Sequence, residues 1–113
     1  MPGRRSARPR IADSAALFFA LGDETRLGLV SRLSHGGPAS IAKLTASFDM
    51  TRQAITKHLR VMEHAGLVRS SRRGRERVWQ LEQHRLADAR RYLDQISRQW
   101  DDALDRLRAL VED

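Results

Sequence analysis

The sequence predicts a mainly α-helical domain with one small β-hairpin, and three observations predict it. Residues 50–67, MTRQAITKHLRVMEHAGL, place apolar side chains at i, i+4 and i+7 on one side of a short segment and hydrogen-bonding groups on the other. SSRRGRERVWQL follows and reads as two short strands joined by an Arg-Gly-Arg turn. The final stretch, about 85–111, repeats apolar residues every seven positions, the mark of a long helix with a partner-seeking seam.

The elements follow in the order α-α-α-α-β-β-α. Ile11–Leu21 is apolar on most sides (Ala12, Ala15, Ala16, Leu17, Phe18, Phe19, Ala20) and is expected to be a helix buried between other elements. Gly22 ends it, Asp23 is a natural N-cap for the next helix, and Glu24 suits that helix's dipole. The second helix sets Leu27, Val30 and Leu33 on one face and stops at His35-Gly36-Gly37-Pro38. Ser40 caps a short third helix whose Ile41, Leu44 and Phe48 face inward. Asp49-Met50 is a brief connection, and Thr51 caps the fourth helix, whose inner stripe is Ile55, Leu59 and Met62. Gly66 closes that helix. The strands are expected at about 67–72 and 76–81 around a turn at 73–75, packed by Val78, Trp79 and Leu81, with Trp79 covering the hairpin on one side.

In the last helix Leu86, Leu93, Trp100 and Leu107 form one row, and Ala89, Ile96, Ala103 and Leu110 the other, reinforced by Leu104 and Val111. From Leu86 to Leu110 this seam runs about 36 Å, too long to bury against so small a domain. It is expected to pair with the same helix, or the first helix, of a second copy. The expected dimer contacts are Leu86, Leu93, Ile96, Trp100, Ala103, Leu104, Leu107 and Leu110, with Phe18 on the first helix. A homodimer with two-fold symmetry follows.

At 113 residues the chain has room for one domain with a modest core. Its formal charge is +7, and 19 of its 21 basic residues are Arg. The charge is uneven: residues 1–10 carry +4, residues 11–50 carry −1, residues 51–77 carry +6, and the remainder carries −2. MPGRRSARPR has no apolar periodicity and reads as a disordered basic arm, leaving residues 11–113 as the folded domain.

A cationic helix followed by a basic hairpin is the layout of a winged helix-turn-helix, a device for reading DNA. Side chains one turn apart reach base edges within one major groove, so Gln53, Thr56, Lys57 and Arg60, with Arg52 at the start, form the expected reading face. Gln suits adenine, Arg and Lys suit guanine, and the Thr methyl meets a thymine methyl. Thr51 and the free N–H groups at the helix start are placed for a phosphate. Arg72, Arg73, Arg75 and Arg77 on the hairpin are expected along the backbone or minor groove, adding affinity more than specificity. His58, at the border of the inward face, has two readings: a phosphate contact, or packing and hydrogen bonding within the motif.

LGDETRLGLVSRL, then IAKLTASFDMTRQAITKHLRVMEHAGLVRSSRRGRERVWQL, closely resembles the ArsR family of winged-helix transcriptional repressors over about residues 14–82. The resemblance is carried jointly by Asp23 with Arg26, by Lys57-His58-Leu59, by Ala65-Gly66-Leu67-Val68 and by the Gly74-Arg75 turn. It implies a homodimer that binds an inverted repeat over a promoter and leaves it when an inducer arrives. It also implies DNA contacts at Gln53, Thr56, Lys57 and His58, and a dimerisation role for the long last helix. Metal-sensing members use cysteine pairs or Asp and His ligands on that helix. This chain has no cysteine and no histidine after His84, so it resembles the members without a metal, often encoded beside small lipocalin-like or START-like proteins.

Several classes are excluded or disfavoured. Without cysteine there is no disulfide, thiolate metal site or thiol switch. His35, His58, His64 and His84 fall in four different elements, and six residues of helix separate His58 from His64 by about 240°. No metal or cofactor is expected. There is no nucleophile elbow and no phosphate-cradling glycine loop, so no enzyme is expected. No apolar run spans a membrane and no secretory h-region follows the N-terminal basic residues, which implies a soluble, cytoplasmic protein. Two other functions remain open: a non-specific architectural DNA binder, and a protein-interaction module built on the heptad helix.

Overall fold

The computed structural model describes residues 11–112. The basic arm expected at residues 1–10 lies outside them. The elements are α1 (Ile11–Leu21), α2 (Glu24–Gly36), β1 (Ala39–Ser40), α3 (Ile41–Ala46), α4 (Arg52–His64), β2 (Val68–Arg73), β3 (Glu76–Leu81) and α5 (Gln83–Glu112). The four helices, the hairpin and the long last helix stand in the expected order. The strand β1 is an addition: it pairs Ala39 with Trp79 and Ser40 with Val78, making a three-stranded antiparallel sheet of order β1-β3-β2. Two residues carry no detectable period, so nothing in the pattern announces them. With a neighbour on each side, β3 becomes the central strand, and Trp79 lies 2% exposed in the main core instead of shielding one side of the hairpin.

Caps set the short helices. The Ser40 hydroxyl accepts from the Lys43 N–H at 3.3 Å, and the Thr51 hydroxyl accepts from Ala54 N–H at 3.1 Å. Ile55, Leu59 and Met62 are fully buried, as are Leu29, Leu44 and Leu67. At the end of α4 the Gly66 N–H donates to the Glu63 carbonyl and the Leu67 N–H to the Met62 carbonyl, each at 2.9 Å, with Gly66 at φ +78°. That is a Schellman termination, and it sends the chain directly into β2.

Two helices sit differently from expectation. α1 buries only Ser14, Leu17 and Ala20. Its opposite side is open, with Phe19 69% exposed, because within the chain its partners α2, α4 and α5 cover one face. On α2 the inward stripe is Arg26, Leu29 and Leu33, while Leu27 is exposed and Val30 half-buried. The cause is Arg26. Its Nε donates to the Ala20 carbonyl at 2.7 Å and its Nη2 to the Phe19 carbonyl at 3.2 Å, satisfying acceptors that the end of α1 leaves open. The guanidinium also lies 5.4 Å from the centre of the Phe19 ring. Its Nη1 lies 3.2 Å from His58 Nδ1 on α4, tying three helices at one point. Asp23 completes the junction by accepting from the Arg26 backbone N–H at 3.0 Å.

A second arginine fastens α5. Arg85 donates through Nε to the Ala65 carbonyl at 3.0 Å, through Nη2 to the Asp13 carbonyl at 3.3 Å, and through Nη1 to Asp88 at 2.9 Å. Around it Ala89 is buried and Leu86 packs half-buried on the core, while the Phe18 and Tyr92 rings stand 5.8 Å apart. Beyond this base the helix, about 45 Å long, runs free of its own domain.

Two outcomes test this framework. Gly66 and Gly74 both hold left-handed backbone, at φ +78° and +64°, so alanine at either should cost roughly 1–2 kcal/mol. Only at Gly66 would the new methyl meet a neighbour, 3.2 Å from Arg85 Nε, so urea unfolding should show the larger loss for Gly66→Ala. Equal losses would mean that Arg85 is not held. Separately, the Arg26 backbone N–H draws the Asp23 carboxyl below its ordinary pKa, opposed by partial burial and helped by the charge of the Arg26 guanidinium. The stabilisation from its ionised form is therefore complete at neutral pH and lost as acid takes the carboxyl through its folded-state value. The Tm gap between the protein and Asp23→Asn, which keeps a capping oxygen but no charge, should shrink on going from about pH 7 to about pH 3. A gap independent of pH would remove the carboxylate from the account.

Candidate nucleic-acid interface

With Ile55, Leu59 and Met62 turned inward, α4 presents its other side to solvent. Arg52, Gln53, Lys57 and Arg60 are exposed there. Thr51, Arg52, Gln53, Ala54, Thr56 and Lys57 surround an open concavity at the N-terminal end of the helix, where its first N–H groups are free of helical partners. Arg60 stands a turn further along. The half-buried Thr56 donates its hydroxyl proton to the Arg52 carbonyl at 2.8 Å. A base edge therefore meets only its methyl group and oxygen lone pairs. His58 is the exception in the expected set. It is half-buried, and its Nδ1 faces Arg26 at 3.2 Å and Asp23 at 3.7 Å, so the packing role within the motif is real.

The hairpin turns at Gly74 and Arg75. Gly74 takes positive φ and Arg75 does not, the pattern of a type II′ turn, whose twist suits antiparallel strands. The register sets Arg73 opposite Glu76 and Arg72 directly opposite Arg77. Like charges in such a cross-strand pair repel. Arg77 is held by its Nη1 donating to Ser70 Oγ at 2.8 Å. Arg72, Arg73, Arg75 and Arg77 are all exposed. Core packing asks for none of them, and mutual repulsion opposes gathering them, whereas a polyanion along the hairpin would reward it. Arg69 lies on the same hairpin and was not singled out by the pattern. It is exposed and its Nε is 3.3 Å from Glu82, a contact that depends on strand register.

The expected dimer set divides in two. Leu86 and Phe18 serve the chain's own packing at the base of α5. Ala103 and Leu104 are partly exposed, and Leu93, Ile96, Trp100, Leu107 and Leu110 are exposed, as is Val111. Among the described residues no three His, Cys, Asp or Glu side chains gather as a metal site, and no helix is long and apolar enough to cross a membrane.

The geometry matches known proteins. The family model described as a helix-turn-helix domain covers residues 21–71. The chain is 38% identical to the HTH-type transcriptional regulator Rv2034 of Mycobacterium tuberculosis, over 82% of this chain and 83% of that protein. It is 30% identical to the arsenical resistance operon repressor of Escherichia coli, over 84% and 79% respectively. Its fold superposes on an ArsR-like transcriptional regulator from Rhodococcus sp. RHA1 with a TM-score of 0.79, at 33% identity, covering 88% of this chain and 92% of that one. With a winged helix-turn-helix fold and relatives of this kind, the chain belongs to the ArsR family of winged helix-turn-helix transcriptional regulators, a DNA-binding family and not an enzyme family.

Proposed function

We propose that this regulator is a sequence-specific repressor that binds an inverted repeat in a promoter as a homodimer and leaves it on a signal that needs no thiol. The observation that carries the reading is the pairing of two kinds of surface on adjacent elements. α4 offers side chains of mixed hydrogen-bonding character, suited to base edges. The hairpin that follows exposes Arg69, Arg72, Arg73, Arg75 and Arg77 against one acid, Glu76, a cationic surface suited to phosphates. Reading comes from Gln53, Thr56, Lys57 and Arg60, with Arg52 and Thr51 at the helix start. Affinity comes from Arg72, Arg73, Arg75 and Arg77.

The homodimer is supported by α5. Its outer seam leaves Trp100 64% and Leu110 76% exposed in a single chain, a stripe that water disfavours and a second copy would cover. Two-fold symmetry would place two reading helices on half-sites about one helical turn apart. The absence of cysteine removes thiol chemistry as the releasing signal.

Fluorescence anisotropy of the protein on its own upstream DNA and on a scrambled duplex, across a salt series, tests this directly. Preference of at least ~10³-fold for the upstream DNA is expected; equal binding to both would leave an architectural DNA binder. Gln53→Ala and Arg60→Ala should each relax base preference by about 1–3 kcal/mol at one position, whereas Arg75→Ala should weaken every sequence alike and reduce the salt slope by about one. Identical behaviour of the two classes would refute the division into reading helix and wing. Trp100→Glu should give a folded monomer by sedimentation with greatly weakened binding to the inverted repeat; a variant that stays dimeric would remove the seam from the interface.

A further inference from the structure

Arg26 constrains the chemistry of His58. A guanidinium has five N–H donors and no lone pair to offer. The 3.2 Å contact between Arg26 Nη1 and His58 Nδ1 is therefore a hydrogen bond only while Nδ1 carries no proton. A neutral imidazole then holds its proton on Nε2. A second proton on Nδ1 would set a cation against a guanidinium that is 9% exposed and already bonded to the carbonyls of Phe19 and Ala20. Asp23 Oδ2 is no ready substitute: it stands 3.7 Å from Nδ1 and is engaged by the Arg26 backbone N–H. The ring follows Lys57 on α4, and one fifth of the side chain remains exposed.

We propose that Arg26 locks His58 in the Nε2–H tautomer, so that the imidazole contacts the DNA backbone as a neutral, donor-only group. Phosphate oxygens only accept, so a donor matches them, and His58 is half-buried at the border of the inward face whereas Gln53, Lys57 and Arg60 stand exposed for base edges. The two readings of His58, phosphate contact and motif packing, then use different nitrogens and hold together. This rests on α4 being the DNA-contacting helix.

Nitrogen NMR of the imidazole rings, in mildly alkaline buffer where imidazole is neutral, reads the tautomer in the wild-type protein. The expected result is a protonated Nε2 and an unprotonated Nδ1, with the Nε2 signal moving when a duplex of the protein's own upstream DNA is added. A proton on Nδ1, or an Nε2 signal unmoved by bound DNA, would overturn the proposal. The variants separate the two nitrogens. In His58→Asn the amide oxygen takes the place of Nδ1 and accepts from Arg26, while nothing replaces Nε2. Its Tm should stay near wild type, and its affinity should fall about tenfold on upstream and scrambled DNA alike. The salt slope should not change, because a neutral donor releases no counterion. His58→Gln reaches the place of Nε2 but leaves Arg26 Nη1 without its acceptor, and should lower Tm with the smaller loss of affinity. Unchanged affinity in folded His58→Asn would refute the backbone contact, and a slope smaller by about 0.9 would show that His58 binds as a cation. Wild-type protein that binds neither duplex, with Nε2 protonated, would instead bring down the reading of α4, and the DNA contact with it, while leaving the Arg26 lock in place.

Discussion

A buried guanidinium organises this domain. Burying a charge is costly unless its donors are satisfied, and removing a partner from such a group leaves that cost unopposed. Arg26 meets the demand with the carbonyls of Phe19 and Ala20, the Nδ1 of His58 and the ring of Phe19. Each partner sits on a helix other than α2, so satisfying one side chain fixes where α1 ends, how α2 is rotated and how α4 lies against both. The rotation of α2 that exposes Leu27 and buries Leu29 is a consequence, since Arg26, Leu29 and Leu33 share one stripe. The proposed reading helix thus takes its orientation from a side chain buried at the junction of α1, α2 and α4.

The abundance of arginine conceals a division of labour. By composition alone every arginine contributes equally to a +7 charge and to a supposed nucleic-acid footprint. Arg26 and Arg85 are instead spent on helix-end carbonyls inside the domain, and Arg69 on Glu82. The exposed arginines at the wing turn serve no such internal contact with the core, and the pairing of Arg72 with Arg77 shows that they are held together against repulsion. The planar fork suits both duties, bidentate to backbone carbonyls within and to phosphate oxygens without.

What the sequence disclosed follows how local each determinant is. The stripe of Ile55, Leu59 and Met62, the caps Asp23, Ser40 and Thr51, and the glycines at 66 and 74 each depend on neighbours within a turn, and all are legible. The inward face of α2 is not, because Leu27, Val30 and Leu33 are as regularly spaced as the true stripe, and a carbonyl pair on α1 decides between them. The strand β1 hides in two residues that double as the approach to α3. Trp79 reads as the cover of a two-stranded hairpin until that third strand makes β3 central. At the interface the exposed side chains of α4 and the wing follow from pattern, but the inward turn of His58 and the internal bond of Thr56 depend on distances no spacing encodes.

The same two arginines bear on how a regulator of this shape changes state. Arg85 joins the base of α5 to the Ala65 carbonyl at the C-terminal cap of α4 and to Asp13 on α1. Arg26 joins the other end of α1 to His58, midway along α4. Helix α1 is therefore bonded at both ends to side chains that also hold the reading helix. In the proposed dimer the outer faces of α1 and α5 are the surfaces a second copy would cover. A change in how two copies meet then has a short mechanical route to α4, through two hydrogen-bonded guanidiniums. A signal acting at the far seam needs no site near the DNA, and a chain without cysteine, and with no metal cluster among its described residues, is still a switch if its helices are bistable about those two points.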